Sequence, residues 1–308
     1  NIEDLVQSAK AYEQSYGSGF IAKVAANAGI TDIGNIPKEF PEMEYEVKFD
    51  LRVKGRGKEP EITDYLNTFD FPLSKTARFI KDPINTSTIG INHFYGTESD
   101  ERLVVIEKMG NTYLKEKSTF LPVEVGIKGQ EAVLKRTEKR YPASLDQVLQ
   151  KTNQVMAEPG VAYRGRIRKE KGDAFVLDTN DGRIYSFTIT RAHLLRPGEE
   201  KESATQRQLE LEYAGYILGF PNFQKDSEKQ IAQGMVDLAR YVWTLYQNAP
   251  LGSTWRMEMN LTAERKYDFV KGEAEVKALP APEPPLLNPS LPNREGILIL
   301  ASEKKKRG

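Results

Sequence analysis

From Met43 to Val53 every second residue is apolar: Met43, Tyr45, Val47, Phe49, Leu51 and Val53. The positions between and beside them are charged, namely Glu42, Glu44, Glu46, Lys48, Asp50, Arg52 and Lys54. Period two over Glu42 to Lys54 predicts a β-strand, because successive side chains leave a strand on opposite faces. Neighbours on one face then stand ~6.6 Å apart. Glu44, Glu46 and Lys48 thus present two carboxylates and an ammonium in a row, a spacing that suits a divalent cation beside an anionic substrate. A strand with one wet face carries the same alternation merely for solubility. Later strands repeat the charged face. If these faces all look outward, the sheet has charge and no site; if they look at one another across a closed barrel, they make a polar tunnel.

The remaining periodicity supplies the other elements. Residues 2–30 read as helix interrupted near Gly17, and Pro60 opens a short helix through Phe69. Residues 78–95 read as extended but irregular. Leu103 to Lys108 and Thr112 to Ser118 form a hairpin around Gly110-Asn111, with Tyr113, Lys115 and Lys117 on one face. A strand follows over Glu131 to Glu138, carrying Lys135 and Arg136. Ser144 and Gln147 form a capping box that starts a helix to about Ala157. Tyr163 to Lys169 puts Arg164, Arg166 and Arg168 on one face. Ala174 to Thr179 turns through Asn180-Asp181-Gly182 into Arg183 to Arg191. Gln206 to Tyr216 sets Glu210 and Glu212 side by side. Ser227 and Gln230 start the longest helix, to about Asn248, whose stripe of Ile231, Met235, Leu238, Val242 and Leu245 packs on the outside of a sheet. Ser253 to Leu261 and Arg265 to Val270 read as the last strands.

Composition narrows the chemistry. The 308 residues can form one large or two modest domains. Lys plus Arg equals Asp plus Glu at 44 each, which speaks against a nucleic-acid or membrane-surface partner. The absence of cysteine excludes disulfides and thiolate metal sites. His93 and His193 are the only histidines and read as structural, so any metal is a hard cation on carboxylates, Mg²⁺ or Mn²⁺. No run approaches the ~18 apolar residues of a membrane span, and the expected compartment is the cytoplasm. From Ala278 the chain turns proline-rich and ends in a basic run, giving an expected division into a helical lead-in (1–40), a barrel domain (41–277) and a tail (278–308).

The charged faces sort into two groups. Glu44, Glu46, Glu210 and Glu212 are acidic, with Glu258 a further candidate. Lys48, Lys115, Lys117, Lys135 or Arg136, and Arg164, Arg166 and Arg168 are basic. Unpaired burial of either group is costly, and a polyphosphate bridged to a divalent cation offsets both.

Several of these segments resemble the CYTH domain, or triphosphate tunnel metalloenzyme superfamily. Glu44-x-Glu46-x-Lys48 is similar to its ExExK opening, and Phe94-Tyr95-Gly96-Thr97 through Leu103, Gly110 and Leu114-Lys115-Glu116-Lys117 to its next conserved region. Ala132-Val133-Leu134-Lys135, Arg164-x-Arg166-x-Arg168 and Leu209-Glu210-Leu211-Glu212 follow in the family's order. Gly96 stands where the family tends to have Asp, and lysines replace arginines at 115 and 117. The resemblance implies an α+β fold: a closed eight-stranded antiparallel β-barrel, or tunnel, with helices packed outside. It implies a metal-dependent hydrolase of a small triphosphate-bearing molecule, inorganic triphosphate or a nucleoside triphosphate. Glu44, Glu46, Glu210 and Glu212 would then hold Mg²⁺ or Mn²⁺. Lys48, Lys115, Lys117, Lys135, Arg136, Arg164, Arg166 and Arg168 would bind phosphate, with Glu46 and Lys48 serving the chemical step. The competing readings are a non-catalytic polyphosphate- or phospho-ligand-binding barrel, an adenylyl cyclase-type activity on ATP, and a carrier barrel with solvated faces.

Overall fold

Strand β1 (Met43–Gly55) anchors a closed ring of strands. The computed structural model describes residues 36–68, 77–80, 88–123, 133–178, 180–195, 204–247, 249–251, 254–262 and 264–275. The expected N-terminal helix over 2–30 and the proline-rich tail lie outside the described residues. The other strands are β2 (Ala77–Ile80), β3 (Thr88–Gly96), β4 (Glu101–Lys108), β5 (Asn111–Lys117), β6 (Leu121–Pro122), β7 (Leu134–Pro142), β8 (Ala162–Asp178), β9 (Arg183–Leu195), β10 (Thr205–Tyr216), β11 (Ala249–Leu251) and β12 (Trp255–Thr262). The helices are α1 (Ile62–Thr68), α2 (Leu145–Met156), α3 (Glu228–Tyr246) and α4 (Lys266–Glu275).

Eight strands run round in the order β1, β10, β9, β8, β3, β4, β5, β7, and β7 pairs back onto β1 to close an antiparallel β-barrel. β1 is shared along its length. It pairs with β7 over Met43 to Glu46 and with β12 from Lys48 to Gly55. Closure turns the even positions of β1 inward and the odd positions outward. The outward residues Tyr45, Val47, Phe49 and Leu51 join the largest apolar core, under α1 and α3. Ile231, Met235, Leu238 and Val242 of α3 are buried there against β9, β10 and β12 residues such as Phe187, Leu211 and Met259. Helix α2 covers a second outer core of Tyr95, Leu103, Val105 and Leu114. The apolar face of the sheet is thus on the outside, beneath helices, and the charged face is inside.

Local sequence explains the helix starts. Ser144 accepts a hydrogen bond from the Gln147 backbone N–H while the Gln147 side chain accepts from the Ser144 N–H, closing the expected capping box. At α3 the Ser227 side chain accepts from the Gln230 backbone N–H, while the Gln230 side chain accepts from the Gln224 N–H instead of closing a box.

The structure departs from the sequence reading at two elements. Tyr163 to Lys169 and Ala174 to Thr179 are not separate strands; β8 runs unbroken for 17 residues. The segment Arg265 to Val270, expected as a last strand, belongs to helix α4. The Asp268 carboxylate accepts from both the Arg265 backbone and its guanidinium, an i,i+3 pairing that suits a helix start and not an extended strand. Helix α4 also enters the barrel rather than covering it. Tyr267 and Val270 pack among Phe94, Val104, Ile106, Ile167, Ala192 and Leu194, all on inner faces. No helix among the described residues is long and apolar enough to cross a membrane.

Gly165 permits that insertion. It takes φ +135°, and a Cβ there would lie 2.7 Å from Val270 Cγ1. Gly165→Ala is predicted to lower the unfolding free energy by about 1–3 kcal/mol through backbone strain and displacement of α4. Urea denaturation checks this, and an unchanged midpoint would contradict the seating of α4 inside the barrel.

Candidate functional site

The closed sheet encloses a cavity of about 130 Å³, room for on the order of ten waters. Ten basic and five acidic side chains line it, a local excess of positive charge in a chain whose net charge is zero. Glu44, Glu46 and Lys48 come from β1 and are 7%, 4% and 6% exposed. A merely solvated strand face is therefore excluded for these three. β10 brings Glu210 and Glu212 to the same wall, with Glu46 opposite Glu212 and Lys48 opposite Glu210 in register. β5 contributes Lys115 and Lys117, and β7 contributes Arg136.

Not every expected residue arrives. Of Lys135 and Arg136, only Arg136 points inward. Lys135 lies on the outer face of β7 and binds Glu228 of α3 at 2.6 Å. The basic row on β8 also faces the wrong way for the expected role. Arg164 sits at the rim, donating to the carbonyls of Gly96 and Gly160 and pairing with Glu98. Arg166 stands opposite His93 on the outer face, and Arg168 pairs there with Glu170 at 2.8 Å. The inner face of β8 presents Lys169 and Lys171 instead. Glu258 is outside as well, paired with Lys54. Both histidines are structural partners: His93 bonds Glu107 and His193 bonds Thr205.

The sequence reading missed Lys108, Arg140, Lys169, Lys171, Arg265, Lys266 and Glu101, which line the cavity. For Lys169 and Lys171 a signal existed, since they alternate with Arg166 and Arg168 along one strand. For Arg265 and Lys266 none did, because they reach the cavity only through the insertion of α4.

Inside, acids and bases are interleaved. Arg136 binds Glu44 at 2.5 Å and Glu101 at 2.9 Å. Lys48 binds Glu46 at 2.5 Å, and Lys115 binds Glu138 at 2.6 Å. Lys266 reaches Glu210 at 3.0 Å, with Lys169 3.9 Å from the same carboxylate. Burial alone would raise the Glu210 carboxyl, but Lys169, Lys266 and Lys48 outweigh it and hold it well below its ordinary value. Lys169 moves the other way. Burial, which Glu210 only partly offsets, brings it down to about 7, with Lys266 and Lys171 adding repulsion. Lys108 at the more open end is also lowered, by burial and by Lys171 and Arg140. Glu212 is raised to about 7 by burial and by the charges of Glu44 and Glu138. Exposure grades along the cavity, from 3% for the Arg136 side chain to 37% for Lys171. The Arg136 end is the one that α4 fills.

Hard carboxylate oxygens are the donor type that Mg²⁺ or Mn²⁺ takes. Glu212 fits such an ion best, because the barrel leaves its charge least compensated. Glu44, Glu46 and Glu210 are each engaged by a cationic side chain. Among the described residues no group of three or more acidic or histidine side chains is assembled to hold a metal ion.

No family model matches the chain, and no curated protein sequence matches it. Solved structures align with it at low scores. The structure of PH1819 protein from Pyrococcus horikoshii OT3 aligns with TM-score 0.37 and 10% identity over 74% of this chain and 99% of that one. The structure of the S. pombe Pct1 RNA triphosphatase aligns with TM-score 0.25 and 12% identity, over 76% and 88% respectively. At such scores neither likeness carries a functional argument.

Glu212 gives a pH test. Its folded carboxyl titrates near 7 against an ordinary value of 4.5, so the folded protein binds more protons than the unfolded chain between those limits. Stability is therefore lost as pH rises through that window. Glu212→Gln is predicted to be more stable than the native protein at pH 8, by at least about 1 kcal/mol, and to lose that advantage below pH 4.5. Urea unfolding across pH 4–8 checks the crossover.

Proposed function

We propose that the barrel binds a triphosphate-bearing small molecule in this cavity and releases its terminal phosphate by transfer to water. The observation that carries the reading is the under-neutralised set of inner cations. Among the described residues, Lys108, Arg140, Lys169 and Lys171 line the cavity with only Asp173 on Lys171 and the more distant Glu210 on Lys169 as acids beside them, and burial and mutual repulsion depress Lys108 and Lys169. A bound polyanion would cancel the repulsion and favour the charged form of both lysines. Lys115, Lys117 and Arg136 lie deeper, so a phosphate chain entering at the exposed end meets progressively drier cations.

Phosphoryl transfer asks a protein mainly for positioning and charge neutralisation. Glu46, Glu210 and Glu212, with Glu44 beside them, would hold the divalent cation. When bound, that ion would neutralise phosphate oxygens and lower the proton affinity of water. Lys48, kept charged by Glu46 and Glu210 despite its burial, stands ready to stabilise negative charge on the leaving phosphate. For the ion to bind, Lys48 and Lys266 must give up their carboxylates to it, and incoming phosphate offers them new partners.

A second reading is a phospho-ligand-binding barrel without catalysis. It is favoured by one observation, the existing pairing of Glu44, Glu46 and Glu210 with Arg136, Lys48 and Lys266.

Phosphate release from inorganic triphosphate and ATP under Mg²⁺ and Mn²⁺ separates the two. Hydrolysis predicts release that Glu46→Gln and Glu210→Gln abolish while far-ultraviolet circular dichroism stays native. Binding without release leaves the second reading standing, and neither binding nor release refutes both. The inner and outer faces of β8 are separable in the same titrations. Lys171→Ala is predicted to weaken triphosphate binding about tenfold, the scale of one charge-assisted contact, whereas Arg168→Ala leaves it unchanged.

A further inference from the structure

Phe120, between β5 and β6, is the one aromatic ring on which cations from three separate elements converge among the described residues. The Arg136 guanidinium of β7 lies 4.0 Å from its centroid. Lys48 Nζ of β1 lies at 5.4 Å, and the Arg265 guanidinium, at the start of α4, at 5.9 Å. All three cations line the cavity. The ring stands where β1 leaves β7 to pair with β12 and where β6 begins on β7, opposite Lys135 and Leu134.

Three cations this close repel one another, and a carboxylate placed between them would cancel the charge that makes them useful. An aromatic face attracts cations through its quadrupole and carries no net charge. It therefore gathers them without adding to the negative charge that Glu44 and Glu101 place on Arg136, Glu46 on Lys48 and Asp268 on Arg265. Of the acids these cations hold, Glu44 and Glu46 are the ones a metal ion would claim, while Glu101 stays on Arg136 and Asp268 on Arg265; the ring is a further partner that does not compete for an anion.

We propose that Phe120 is a positioning residue that collects Lys48, Arg136 and Arg265 into one anion subsite at the deep end of the barrel. This rests on the reading of the cavity as a triphosphate site. Nothing in the residue type signals the role, since a lone Phe after a charged strand looks like core.

The test is calorimetric titration of inorganic triphosphate, with and without Mg²⁺, into the full-length native protein and three forms altered at position 120. Phe120→Leu keeps an apolar side chain without the quadrupole. Phe120→Tyr keeps the ring. Pentafluorophenylalanine keeps the shape and reverses the quadrupole. Binding is expected to fall roughly tenfold in the Leu variant, the scale of two desolvated cation–π contacts. It should fall further with the fluorinated ring and stay within about twofold of native in the Tyr variant. The fluorinated form decides the matter should Leu prevent folding, because it preserves packing. Native-like or tighter binding by the fluorinated protein overturns the inference, as does a loss in Tyr equal to that in Leu. Failure of the native protein to bind triphosphate removes the reading of the cavity and this inference with it. Equal binding by all four forms removes this inference alone.

Discussion

The fold depends on one electrostatic constraint: a closed barrel can keep charged walls only if the charges answer one another. Burying a carboxylate or ammonium alone costs several kcal/mol even after relaxation. The interior meets that cost with a lattice of pairs, Arg136 between Glu44 and Glu101, Lys115 and Lys117 on Glu138, and Lys266 on Glu210. β1, β4, β5, β7, β10 and α4 each supply members, and through Arg136 and Glu101 the lattice ties β7 to β4, which share no backbone ladder. Replacing these pairs with apolar side chains would give a conventional core of similar or greater stability. That the interior is charged instead is the main physical reason to look for a ligand there.

Legibility of the sequence ended where tertiary closure began. The alternation of β1, the Gly110 hairpin, the capped helices at Ser144 and Ser227, and Glu210 beside Glu212 are all local patterns, and all are present in the fold. Which face of a strand turns inward is not local. On β1 the apolar face had to meet the α3 stripe, so the charged face was left for the interior. β8 carries charge on both faces from Arg164 to Asp173 and apolar weight only afterwards. Its parity was set by a register shift near Gly165, where β3 and β8 slip between Phe94 and Tyr95. No periodicity in the sequence announces that bulge. The same holds for β7, where adjacent Lys135 and Arg136 offered either face and α3 took Lys135 through Glu228.

Helix α4 shows the opposite failure. Arg265 to Val270 alternates well enough to read as strand, but six residues are too few to separate period two from one helical turn. What decided it was the pairing of Arg265 with Asp268 and the burial of Tyr267 and Val270 three residues apart, against inner-face residues of the barrel. Two of the cavity's cations, Arg265 and Lys266, came with it unannounced. Of the four acids expected to share a metal, all reach the common wall. Three arrive already matched to a base, a feature that the spacing of Glu44-x-Glu46 cannot reveal.

The interior is therefore balanced rather than saturated. Glu212 is pushed up and Lys169 down, each to about 7, so near neutral pH the barrel can lose a negative charge from one wall and a positive charge from another at little cost. Structural ion-pair networks also shift such values, in either direction: the Glu210 carboxyl is held toward its charged form, while burial lowers its partner Lys266 toward the neutral one. For Glu212 and Lys169 burial is the largest cause, and the opposite charges nearby offset it only in part. A divalent cation beside Glu212 would supply opposite charge there, and an anion would add to what Glu210 gives Lys169 from 3.9 Å. One occupant carrying both charges would remove both strains together. Both groups line the same cavity, two strands apart around the ring, an arrangement that holding the strands together does not by itself require.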